Sequence, residues 1–413
     1  MDPEVLLRKM FDRAVEVADP MRSIADYLPE KPSGRVVILG AGKASARMAE
    51  AVEAVWGPCE GLVITRYGYG RPCQGVEIVE ASHPIPDVSG MRATKRMLEL
   101  AGSLTEDDFA LILISGGASS LLVAPAGGIT LTEKQELSTA LLASGAPIHE
   151  LNVVRRAISR IKGGRLAARI YPARTLCLAI SDVAGDNPLF IGSGPTVAGP
   201  SGALDASEIL RRLKISIPAS IRAALDAPND APHVNDPRLS RSETIVYAAP
   251  SQSLSAAAKL AQDQKVEVRL IGDAVEGEAR DIAKAHAQAA MRLQRDLSGP
   301  CVLMSGGELT VTRTGDGSGG PNAEYALALA LALQGAPGIY GIACDTDGVD
   351  GAEEVAGAMV APESLRGLRN LAEEALLQND AHGFWGRAGG QIVTGPTLTN
   401  VNDFRAIFVE PLA

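Results

Sequence analysis

The chain has 413 residues, 46% hydrophobic and 21% charged, an ordinary globular composition with length for about two or three domains and large cores. Its 39 basic and 49 acidic residues leave a net charge of -10, which argues against nonspecific nucleic-acid binding and against anionic membrane surfaces, while a local basic pocket stays compatible with it. Cys59, Cys73, Cys177, Cys301 and Cys344 form no Cys-x-x-Cys pair and read as small apolar residues in a reducing compartment; the histidines do not cluster as a zinc site does.

The first element is a helix: Leu6, Leu7, Met10, Phe11, Ala14, Val15 and Ala18 make an apolar stripe, with Asp2 as cap and Pro3 in the first turn. Its mixed charge is unlike a leader peptide, and no apolar run spans a bilayer, so a cytoplasmic location is expected. Strands are expected at 35–39, 62–65, 109–114, 175–180, 244–248, 266–271, 302–304 and 339–343, alternating with helices at 43–55, 88–101, 133–143 and 276–294. That alternation predicts an α/β protein with parallel sheets covered by helices. Turn formers cluster in 227–232 and at Asn235-Asp236-Pro237, which places a boundary near 240. The expected domains are 1–240 and 241–413, with the last strand, 406–409, left open as one that returns to the first domain.

Five stretches carry the residue types of chemistry. Gly40-Ala41-Gly42-Lys43-Ala44-Ser45 is a glycine turn with a lysine at a helix start, suited to a phosphate or carboxylate, or simply a strand–helix turn. It lacks the third glycine of a dinucleotide fingerprint, since Ser45 stands there, and it does not meet the Walker A spacing. Ser181-Asp182-Val183-Ala184-Gly185-Asp186 puts two carboxylates after a strand, for Mg2+ or a hydroxyl proton, or for an Asx turn. Asp345, Asp347 and Asp350 crowd into six residues, which favours a cation, Mg2+ or a Mg2+-nucleotide, over a solvated acidic turn; the spacing excludes an EF-hand. Gly315 to Gly320 is a glycine-rich loop before a buried helix at 325–333, read as a nucleotide cover or a mobile surface loop. The run Asn152 to Arg165 reads by itself as a solvated basic face, although an arginine fork there suits a carboxylate or phosphate. Two Ser-Gly-Gly turns, Ser115-Gly116-Gly117 and Ser305-Gly306-Gly307, both follow apolar strands.

In series, these stretches resemble the class II glycerate kinase family, whose members are sometimes labelled hydroxypyruvate reductases. The resemblance also rests on Ser82-His83-Pro84-Ile85-Pro86-Asp87, Lys162-Gly163-Gly164-Arg165-Leu166, Thr394-Gly395-Pro396-Thr397 and Asn400-Val401-Asn402-Asp403, in order from about residue 5 to the C-terminus. It implies a Rossmann-like three-layer N-terminal domain, a smaller mixed α/β domain of MOFRL type, and an active site in the cleft between them. It implies ATP with Mg2+, D-glycerate as acceptor and 2-phosphoglycerate as product. The partners are then small molecules, with neither nucleic acid nor membrane, and a homodimer stays open. Lys43 and Asp182 become the expected catalytic residues. Ser115, Gly116, Gly117, Arg156, Arg165 and Asn402 are assigned to the substrate, Gly40, Gly42, Gly306, Gly307 and Asn322 to the nucleotide, and Glu308 and Asp347 to the metal. One departure stands out: the family pattern Gly-Gly-Arg-Asn-Gln-Glu is here Gly319-Gly320-Pro321-Asn322-Ala323-Glu324, so Arg156, Arg165 or the metal must supply the missing charge. The rival expectation is an NAD(P)H-dependent hydroxypyruvate reductase, with Arg66 reading the extra phosphate of NADPH. A non-catalytic sensor of nucleotide or sugar acid is a second rival.

Overall fold

The computed structural model describes residues 2–199, 205–228 and 230–412, so Asn229 of the expected boundary lies outside the described residues. The chain divides into two compact units: Pro20–Tyr247, and the residues up to Asp19 together with those from Ala248 on.

The Pro20–Tyr247 unit holds β1 (Val36–Ala41), β2 (Glu60–Arg66), β3 (Val76–Ala81), β4 (Phe109–Ile114), β5 (Arg174–Ile180) and β6 (Ser242–Ala248, whose last residue crosses the boundary). They lie in the order β3-β2-β1-β4-β5-β6, and β1 to β5 run parallel. β1 and β4 are buried at every position, as strands covered on both faces must be. Sequence reading expected β6 to open the second domain. It instead extends the first sheet beside β5, where the Thr175 N–H also bonds the Arg241 carbonyl at 2.9 Å. The chain runs outward from β1 to β3 on one side and from β4 to β6 on the other, so the strand order reverses between β1 and β4.

The other unit holds β7 (Glu267–Gly272), β8 (Gly277–Glu278), β9 (Cys301–Ser305), β10 (Leu309–Thr310), β11 (Ile339–Asp345), β12 (Gly357–Val360), β13 (Gln391–Ile392) and β14 (Asp403–Val409). Six of them form a sheet of order β13-β12-β11-β14-β9-β7; β8 pairs with β10. This sheet is mixed rather than parallel: β14 is antiparallel to both β9 and β11, and only β7 and β9 run together. β14 is therefore an internal strand here and does not return to the first sheet.

The element that crosses over is the first helix, Pro3–Ala18. Asp2 accepts the Glu4 and Val5 N–H groups at its start, and Leu6, Leu7, Met10 and Phe11 pack with Leu254, Met304, Phe404 and Phe408. The opposite sheet face, with Leu303, Ile407 and Val409, packs on the Ala279–Gln294 and Pro321–Leu333 helices. Alternate residues of β14 thus serve two cores, the period of two that a pleated strand imposes. The Ala–Leu alternation of 325–333 resolves as helix, its residues apolar on all sides because nearly all of them are buried. Among the described residues, no helix is long and apolar enough to cross a membrane.

Candidate active site

In the first sheet, ligand chemistry belongs at the carboxyl edge near the reversal between β1 and β4. Lys43 follows β1 and Gly116-Gly117 follow β4, so both emerge there. The Lys43 N–H bonds the Gly116 carbonyl at 2.8 Å. Gly117, at φ 82°, is flanked by two side chains: a Cβ there would lie 3.0 Å from His83 Cδ2 and 3.4 Å from Lys43 Cγ. Three loops, after β1, β3 and β4, thus bring Lys43, His83 and Gly117 together. Asp182 follows β5, one strand further along this edge, and is partly exposed.

The glycine turn itself does not cradle an anion. The Gly42 N–H goes to the Ile64 carbonyl at 3.1 Å, that of Ala44 to the Ser115 hydroxyl at 3.0 Å, and that of Ser45 to the Gly42 carbonyl at 3.2 Å. With Lys43 already bonded to Gly116, four successive donors are spent within the protein. A Cβ at Gly40 would meet the Leu113 carbonyl, and one at Gly42 would collide with Ser115, so these glycines allow close backbone approach. Ser115 is fully buried, its hydroxyl held between Ala44 and Ser45. Gly40, Gly42 and the Ser115 side chain accordingly shape the turn that presents Lys43.

The basic run is no solvated face. Lys162 is fully buried and donates to the Ser119 carbonyl at 2.7 Å. Arg165 is 8% exposed, paired with Asp230 at 2.8 Å and bonded to the Arg156 and Lys162 carbonyls. Arg156, half-buried, reaches the Leu189 carbonyl at 3.4 Å, and burial lowers its pKa. Sequence reading missed Lys134, 4% exposed on the Leu131–Ala143 helix; burial first, then Arg155, pushes its pKa down to about 8. Lys162 is held well below its usual value by burial, and then by Lys134 and Arg155. His83 stood in a quoted motif without a role, and the polar surroundings of Lys134 gave no signal of burial.

In the second sheet, β9 and β11 end at the same edge with the start of β14 between them, roughly 10 Å apart. Glu308, Asn402 and the 345–350 loop therefore share that edge. Glu308 is exposed, Asp345 is partly exposed, and Asp347 is fully buried, its Oδ1 accepting the Val349 N–H at 2.8 Å. Asp350 is committed to architecture: it accepts the Asn322 and Ala323 N–H groups at the start of the Pro321–Leu333 helix and lies 3.3 Å from His382 Nε2. Among the described residues, no three His, Cys, Asp or Glu side chains converge as a metal cluster.

Asn322 is fully buried and donates to Asp403 Oδ1 at 2.7 Å. Arg405 bonds Asp403 at 2.8 Å and the Gly306 and Gly307 carbonyls at 2.6 and 3.1 Å. The Gly306 N–H is spent on the Gly272 carbonyl at 2.8 Å, and a Cβ at Gly307 would collide with Val275. Gly306, Gly307 and Asn322, the residues expected at the nucleotide, are thus parts of one buried network. Asn402, at φ 70°, accepts the Asp403 N–H through Oδ1 and holds the turn into β14. The 315–320 loop is no free cover either: Asn379 Oδ1 accepts the Thr314 and Gly315 N–H groups, and Gly315, Gly317 and Gly319 lie against residues 378–381.

The family described as a domain of unknown function, DUF4147, matches residues 6–226, and the MOFRL family matches residues 301–403. The chain is 46% identical to an Agrobacterium vitis protein named "Putative hydroxypyruvate reductase", over 98% of this chain and 94% of that protein. It is 36% identical to the D-glycerate 2-kinase of Thermotoga maritima, over 97% of this chain and 98% of the relative. The crystal structure of a Thermotoga maritima glycerate kinase superposes with a TM-score of 0.87 at 35% identity, covering 98% of this chain and 99% of that one.

Proposed function

The chain belongs to the glycerate kinase family that joins a DUF4147 region to a MOFRL region, and we infer that it is a glycerate 2-kinase, moving the γ-phosphoryl group of ATP to the 2-hydroxyl of D-glycerate. The observation that carries this reading is the meeting of Lys43 and His83 at Gly117, at the carboxyl edge where the strand order reverses. Phosphoryl transfer asks a protein chiefly for positioning and counter-charge. The 2-hydroxyl oxygen forms the new P–O bond, the bond from γ-phosphorus to the bridging oxygen breaks toward ADP, and the hydroxyl proton leaves to a base. Lys43 offsets the charge on the phosphoryl group in flight, and Asp182, partly exposed at the same edge, takes the proton.

Mg2+ supplies charge neutralisation on the nucleotide oxygens when bound. The donors at the second sheet edge suit it, being carboxylates without thiolate or imidazole: Glu308 is exposed, Asp345 is partly exposed, and Asp347 is buried. The hydroxypyruvate reductase reading meets an obstacle at the turn after β1. A dinucleotide pyrophosphate needs free N–H groups there, and those of Gly42 to Ser45 are bonded within the protein.

A coupled assay with ATP, Mg2+ and D-glycerate, with the product read by phosphorus NMR, is expected to give 2-phosphoglycerate. Lys43→Ala is expected to lower kcat by about 100-fold or more with the fold intact. Consumption of NADH or NADPH with hydroxypyruvate, and no phosphorylated product, reverses the assignment.

A further inference from the structure

A hydroxy-acid substrate carries a carboxylate that needs its own counter-charge, and Arg165, expected to supply it, is already paired with Asp230. A second group of cations is not. Lys134 is 4% exposed, and among the described residues neither it nor Arg155 has an ion pair or hydrogen-bond partner for its charged group. Asn152 is 1% exposed; its Oδ1 accepts the Ser193 hydroxyl at 2.6 Å, while its Nδ2 is buried with no partner. Ser193 meets the Ser119 hydroxyl at 2.8 Å, and the Ser119 carbonyl takes Lys162 Nζ at 2.7 Å. These bonds tie Asn152 and Lys162 to Ser119, two residues beyond Gly117. Gln135, next to Lys134, donates to the Pro86 carbonyl at 2.7 Å, three residues beyond His83. The cations are thus fastened to the same two loops that flank Lys43.

We propose that Lys134, Arg155, Lys162 and Asn152 form the site that holds the carboxylate of a small 2-hydroxy acid, at the side of the loops carrying His83 and Gly117. This rests on the reading that the chain acts on such an acid. Burial first, then Lys134 and Arg155, lowers the pKa of Lys162, and its ammonium is spent on the Ser119 carbonyl. Lys134 and Arg155 are the cations left for a ligand. The unpartnered Asn152 N–H group supplies a neutral donor to the second carboxylate oxygen. Buried polar groups nearly always have partners, and at Asn152 the proposed partner is the carboxylate.

The experiment uses the full chain. Calorimetric titration with D-glycerate and, separately, with hydroxypyruvate is compared between the wild type, Lys134→Met and Lys134→Arg. Lys134→Met is expected to weaken both acids at least tenfold, to leave KM for ATP within twofold, and to raise the Tm of the ligand-free protein. Lys134→Arg is expected to restore most of the affinity. Unchanged affinity for both acids overturns the proposal, as does a rise confined to KM for ATP, which assigns the cations to the nucleotide. A lower Tm with unaltered KM values also overturns it, since the cluster is then structural. If both acids bind through Lys134 but no phosphorylation occurs, the site stands and the kinase reading alone fails.

Discussion

In the unit built from the two ends of the chain, the buried guanidinium of Arg405 is met by Asp403 and by the Gly306 and Gly307 carbonyls, whereas in the Pro20–Tyr247 unit the ammonium of Lys134, a residue 4% exposed, has no ion pair or hydrogen bond among the described residues. In the first arrangement the cation is satisfied: Asn322, Asp403 and Arg405 join a helix start, a strand start and a glycine turn into one core, in which the Asn322 Oδ1 alone of this trio is buried without a partner among the described residues. The second is open: Lys134 and Arg155 have no ion pair or hydrogen bond for their charged groups among the described residues, and the Asn152 Nδ2 is buried without a partner. Satisfaction of the charged group, more than burial alone, is what differs between the two buried cations.

The sharpest way to break that comparison is Arg405→Met. It strands the Asp403 carboxylate, 5% exposed, in the core. Removing one partner of a buried pair costs about 3–5 kcal/mol, read as a fall of roughly 10 °C in Tm. A loss below about 1 kcal/mol means that the network is not structural. His286, bonded to Tyr325 beneath Arg405, gives the next effect. Burial first, and Arg405 second, lower its pKa from 6.5 to about 4. A depressed pKa contributes stability that is present above pH 6.5 and lost as pH falls through about 4. An acid titration of Tm in the wild type and in His286→Gln should differ over that range, by roughly 1–3 kcal/mol.

The open cluster has the same pH dependence as His286, but its substitution carries the opposite sign to Arg405→Met. Burial, then Arg155, lowers Lys134 from 10.5 to about 8, so the stability linked to it is present above pH 10.5 and is lost as pH falls through about 8. Near neutral pH the ligand-free wild type bears the full cost, and Lys134→Met should raise Tm by about 2–4 °C per kcal/mol relieved. That advantage should shrink in alkaline buffer; one that stays constant points to packing instead. The smallest effect belongs to Pro321→Arg, at the first turn of its helix, with stability expected within about 0.5 kcal/mol of wild type. KM for ATP should fall severalfold if charge at this place is what the chain lacks, and unchanged kinetics places the counter-charge elsewhere.

Much of the fold was readable from local pattern. β1 and β4 are unbroken apolar runs, β5 is one after its first two residues, and the stripe of the first helix named its own buried face. β3, Val76–Ala81, escaped because two glutamates interrupt an edge strand, and β6 was misplaced because a stretch rich in turn formers precedes it. The site was harder, for a physical reason. A glycine before a helix can mean an approaching phosphate or an approaching strand, and in the sequence the two look alike. At Gly42 and Gly307 the approaching partner is backbone or a serine of the same protein. Lys134 sits among polar residues, and its burial follows from packing with segments some 20 residues further on, beyond the reach of any local window.

The first helix carries a consequence for biosynthesis. Its apolar face completes a core otherwise made by residues from Leu254 to Phe408, so a segment that leaves the ribosome before the whole Pro20–Tyr247 unit finds its place only after it. Roughly 230 residues of the intervening unit emerge and can fold before that partner surface exists. Until then Leu6, Leu7, Met10 and Phe11 have no cover from their own chain, and this nascent stretch is where a chaperone has most to shield.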